Sequence, residues 1–150
     1  MTMMNIPKFE RFSRVVASLD VDNADLKRYS EFVSHKTYDL VARAQDIAAE
    51  NGRRIIEVRD LPITKGLQQR IVEFRKINET EVELKPILDK ITPMPPLELD
   101  YSEETEAELP YVAGGLSIAL AHGFKIIDLD LKNPHGIQWE RAFRLFDLLL

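Results

Sequence analysis

With 150 residues, 45% of them hydrophobic and 30% charged, the chain can bury a core beneath a charged surface, and one domain over 1–150 is expected. It has no cysteine, which excludes disulfides and thiolate zinc sites and fits a reducing compartment. A net charge of −5 weakens a nucleic-acid reading, because affinity for DNA comes mainly from Lys and Arg on phosphates.

The opening MTMMNIPKFERF lacks the basic and long apolar regions of a signal peptide. No apolar run approaches the roughly 18 residues that span a bilayer, so a cytoplasmic protein without membrane contact is expected. Phe9, Phe12, Val15 and Val16 share one helical face, which predicts a short amphipathic helix over 7–17. LDVDNADL follows as a loop, with Asp22 or Asn23 as N-cap and Asp25 favoured in the first turn. From 24 to 51 the apolar positions Leu26, Tyr29, Phe32, Val33, Leu40, Val41, Ala44, Ile47 and Ala48 keep the 3.6 period without Pro or Gly. Such a helix is about 40 Å long. Gly52 sits where a left-handed residue ends a helix.

Ile55, Ile56 and Val58 form a short strand-like run, and Asp60 caps a helix that has Pro62 in its first turn and ends near Ile77. LKPILDKI (84–91) predicts a short helix and TPMPPLELDY (92–101) a Pro-rich loop. Ser102 caps a further helix that Pro110 restarts or kinks and that ends at Gly123. KIIDLDL (125–131) reads as a second short strand, and Asn133-Pro134 precede a last helix ending FRLFDLLL.

The pattern is written twice. LVARAQDIAAENGRRII (40–56) aligns with YVAGGLSIALAHGFKII (111–127) at an offset of 71, with Val41/Val112, Ala42/Ala113, Ile47/Ile118, Ala48/Ala119, Gly52/Gly123, Ile55/Ile126 and Ile56/Ile127 identical. One residue is then lost, and Asp60-Leu61 answers to Asp130-Leu131. Pseudo-repeats of about 1–78 and 79–150 are expected to pack on each other. Gly114-Gly115 inside a helix fits a close helix crossing at their centre.

A long helix ending in Gly-Arg, an aliphatic pair and an Asp-Leu before a third helix resembles the second loop of the histone fold. LDVDNADLKR, DLPITKGLQ, SEETEAELP and LKNP…WERAFRLFDLLL are similar to a small family of bacterial histone-fold proteins, over nearly the whole chain. The resemblance implies an all-α tandem histone fold pseudo-dimer: two helix–loop–long helix–loop–helix units with very short strand-like loops and crossing long helices. It places Arg53 and Asp60 in the family's buried Arg–Asp clamp. Two positions depart from the pattern. Ile55 stands where histones have a DNA-contacting Thr, and Phe124 replaces the clamp Arg in the second copy.

A histone-type role would make Arg11, Arg14, Lys27, Arg28, Arg53, Arg54 and Lys65 the candidate DNA contacts. They lie in the half that holds 14 Lys/Arg against 11 Asp/Glu, a net of +3; residues 79–150 hold 6 against 14, a net of −8. The loops expected to meet nevertheless mix signs. Arg53, Arg54 and Arg59 would face Glu98, Asp100, Glu103 and Glu104. Lys27, Arg28, Lys125 and Lys132 would face Asp20, Asp22, Asp25, Asp128 and Asp130. Wrapped duplex needs several phosphates neutralised together, and these loops would largely neutralise themselves. Arg53 and Arg54 also have an ordinary reading: a clamp and a solvated charge near a helix C-terminus.

Asp20, Asp22, Asp25 and Glu31 echo a calcium loop, but Ala24 at the fifth position and Asp25 at the sixth break its ligand set and turn. His35, His122 and His135 are scattered, which gives a metal site no support, and no cofactor is implied. The acidic stretch 103–108 reads as a solvated face, and Trp139 as core or a half-exposed anchor. No acid, base and nucleophile set converges. The sequence therefore points to a non-enzymatic protein of the histone-fold type that meets protein partners. Weak, salt-sensitive, sequence-non-specific DNA binding is the alternative.

Overall fold

The computed structural model describes residues 6–80 and 99–150, and within them the chain is mostly helical and all-α. The short helix expected over 84–91 and most of the Pro-rich stretch lie outside the described residues. The order is α1 (Ile6–Ala17), α2 (Asn23–Glu50), β1 (Ile55–Ile56), a 3-10 turn (Val58–Asp60), α3 (Lys65–Thr80), β2 (Asp100–Tyr101), α4 (Glu103–Ile127) and α5 (Gly136–Leu149).

Local chemistry sets most boundaries. Asp22 caps α2: its Oδ1 accepts from the Asp25 backbone N–H at 3.0 Å, while Asp25 Oδ2 accepts from the Asp22 N–H at 3.0 Å. This reciprocal pair satisfies two donors that a helix start otherwise leaves unpaired. At the other end Gly52 takes φ +72°, the left-handed conformation that costs a residue without a Cβ nothing. Ser102 caps α4 by accepting from the Thr105 N–H at 3.1 Å.

Four expectations need correction. Asp60 does not cap α3. Its carboxylate is engaged within its own loop, α3 begins at Lys65, and Thr64 Oγ1 accepts from the Leu67 N–H at 3.2 Å. The expected loop ending at Tyr101 contains β2. Pro110 does not restart α4, which runs through it. The carbonyl that loses its donor there belongs to Glu106, an exposed residue. Finally, 125–131 is not a strand. Helix α4 passes Gly123 and continues to Ile127, because Phe124 lies on its buried face with its ring centroid 4.8 Å from that of Trp139. A turn follows, in which the Leu131 N–H donates to the Asp128 carbonyl at 3.0 Å.

The two long helices are joined at both ends. β1 and β2 pair in parallel, Ile55 opposite Asp100 and Ile56 opposite Tyr101, so the loop after α2 lies against the entry to α4. The Ile56 carbonyl also accepts from the Ser102 N–H at 3.0 Å and the Thr105 hydroxyl at 2.8 Å. At the opposite end the loop before α2 meets the loop after α4: the Asp20 N–H donates to the Lys132 carbonyl at 2.6 Å.

Between these ends the core falls into two clusters along α4. One gathers Phe12, Tyr29, Val33, Phe74, Ile118, Phe124 and Trp139; the other gathers Val41, Ala44, Ile56, Leu67, Ile71, Val112 and Leu116. A buried hydrogen bond of 2.7 Å between the Tyr29 hydroxyl and Ser117 Oγ ties α2 to α4 inside the first. Gly114 and Gly115 mark a close crossing of α4 with α3. A Cβ on Gly114 would stand 2.6 Å from Phe74 Cδ1, and one on Gly115 2.6 Å from Ile71 Cγ1.

Candidate interaction surfaces

The loop between α2 and α3 is built around one ion pair. Arg53 Nη1 and Nη2 donate to Asp60 Oδ2 and Oδ1 at 2.5 and 2.6 Å, a bidentate fork that matches guanidinium to carboxylate. Asp60 is only 1% exposed, and its Oδ2 also accepts from the Glu57 N–H at 2.8 Å. The hydrogen bond from Arg53 outweighs the burial and holds the Asp60 carboxyl below its usual range, while the same bond raises Arg53. Glu57 adds a contact of 3.2 Å to Arg53 and one of 2.5 Å to Arg59. The pair closes the loop so that Ile56 points into the core and Ile55 is left half-exposed.

Of the other basic candidates, Lys27 lies at the start of the 28-residue helix α2 and Arg54 beyond its end. Arg11, Lys27, Arg54 and Lys65 are exposed and Arg28 is half-buried. Arg14 lies 3.5 Å from Glu10 and 3.8 Å from Asp20. The β1–β2 register sets Asp100 opposite Ile55, beside Arg54, and exposed Glu103, Glu104 and Glu106 follow in the first turn of α4. Where Asp20 meets Lys132, the exposed Asp22, Asp128 and Asp130 flank Lys27 and Lys132. Both loop junctions therefore mix signs.

A third surface was not foreseen from sequence. Helix α5 turns Trp139, Ala142, Phe143 and Phe146 inward, with Phe32 stacked on Phe143 at 5.6 Å between centroids and edge-on to Phe146 at 5.1 Å. Trp139 Nε1–H donates to Asp25 Oδ1 at 2.7 Å, and Lys36 Nζ donates to Asp147, so both ends of α5 are tied to α2. Burial raises the Asp25 carboxyl against the hydrogen bond from Trp139. The remaining apolar residues of α5 face outward. Leu145 and Leu149, with Gly66, Leu67 and Arg70 of α3 and Ala119 and Ile126 of α4, line a groove of about 440 Å³. Ile126, Leu129 and Leu148 are each 81% exposed and Leu149 66%. On the α3 side Glu73 accepts from His122 Nε2 at 2.8 Å and lies 3.1 Å from Arg70 Nε. The sequence held one clue, since 145, 148 and 149 fall off the face set by 139, 142, 143 and 146.

Among the described residues, no group of three or more His, Asp or Glu side chains is placed to hold a metal ion, and no helix is long and apolar enough to cross a membrane.

A family model described as a domain of unknown function (DUF1931) matches residues 9–147, so the chain belongs to that family. A crystal structure of a Thermus thermophilus protein is similar, with 48% identity, a TM-score of 0.87, and 98% of this chain and 99% of the other covered. A crystal structure of an Aquifex aeolicus protein is similar at 26% identity and a TM-score of 0.84, covering 97% of this chain and 95% of that one. An Aquifex aeolicus relative described as an uncharacterized protein is 29% identical over 118 residues, 79% of this chain and 68% of that protein.

Proposed function

We propose that this member of the family is a non-enzymatic protein-interaction module built on a tandem histone-like fold, and that it meets its partner through the apolar face of α4 and α5. The histone-like reading is supported by the two loop junctions, each joining the exit of one long helix to the entry of the other, and by the Arg53–Asp60 pair at the position implied by the resemblance.

One observation carries the interaction reading. Ile126 and Leu149, both mostly exposed, line a concave apolar groove with Leu145, and exposed apolar surface of this kind costs solubility unless something covers it. The mixed signs at both loop junctions weigh against wrapped duplex. The alternative, weak and sequence-non-specific DNA binding, draws on the exposed Arg11, Lys27, Arg54 and Lys65 of the basic half.

Fluorescence anisotropy with a labelled mixed-sequence duplex of about 60 base pairs, at low and moderate salt, separates the two. No binding at low salt is the expected result. Tight binding that falls steeply with salt would transfer the function to the basic half.

A further inference from the structure

We draw no further inference here: the strongest candidate, the apolar groove between α3, α4 and α5, belongs to the surface already described, and nothing in the structure shows what covers it.

Discussion

Replacing each of three glycines by alanine should give effects of opposite sign. In a helix interior alanine is favoured over glycine by about 1 kcal/mol, so a site with room gains stability. Gly66, in the first turn of α3, has no neighbouring atom within 4 Å of the position its Cβ would take. Gly66→Ala should therefore stabilise by up to about 1 kcal/mol. At Gly115 the new Cβ would stand 2.6 Å from Ile71 Cγ1 and 3.1 Å from the Ile71 backbone nitrogen, so α3 itself must move away from α4. Overpacking of this kind costs about 1–3 kcal/mol, and a displaced main chain belongs at the upper end. Subtracting the propensity gain leaves Gly115→Ala about 2 kcal/mol less stable, a fall in Tm of roughly 4–8 °C for a chain of this size. Gly114→Ala meets the fully buried ring of Phe74 instead, and Phe74→Leu should partly rescue it. Thermal and urea unfolding followed by far-UV circular dichroism, with a double-mutant cycle for positions 114 and 74, reads all of these. If Gly115→Ala raises Tm as Gly66→Ala does, the close crossing of α3 and α4 is wrong.

Three further outcomes are expected. Arg53→Ala leaves the Asp60 carboxylate buried without its partner and should lower Tm clearly, whereas exposed Arg54→Ala should change stability by less than about 0.5 kcal/mol; equal effects in urea melts would remove the clamp from the stability argument. Because Arg53 depresses Asp60, the stability from that pair is present above the ordinary carboxyl value of 3.8 and is lost as pH falls through the folded value, so Asp60→Asn should flatten the acid limb of a Tm–pH curve. Asp25 behaves oppositely. Burial raises it, so its neutral form is favoured at low pH and its ionisation costs stability as pH rises from 3.8 through the folded value. The Tm of Asp25→Asn relative to the parent should therefore increase across that interval, and a flat difference would contradict it.

The parts of the fold legible in the sequence were those fixed by local chemistry. Asp22, Gly52 and Ser102 announced helix ends by capping and left-handed geometry, and these depend on only a few neighbouring residues. The failures came where distant packing overrode a local resemblance. Gly52 and Gly123 occupy equivalent places in the repeat, yet they serve different ends. The first turns the chain at φ +72°. The second stays inside α4, where a Cβ would stand 3.3 Å from the Phe146 ring. Likewise Ile126 and Ile127 read as strand, because nothing in the local sequence reveals that Phe124 will meet Trp139. The apolar groove was hidden for the same reason, since three helices remote in sequence form its walls.

The long-range ties between α2 and the second half of the chain also bear on how quickly the molecule assembles. A mostly helical chain belongs among fast folders because its contacts are local. Here the Tyr29–Ser117 bond spans 88 residues, the Trp139–Asp25 bond 114 and the Lys36–Asp147 bond 111. Each closes a loop whose entropy must be lost before the contact forms. Part of the inner face of α2 is covered from the first half, where Ile56, Leu67 and Ile71 meet Val41 and Ala44, but Phe32 waits for Phe143 and Phe146 of α5. That stretch of α2 therefore stays uncovered until α5 has been made, and folding should be slow for the helical content of the chain.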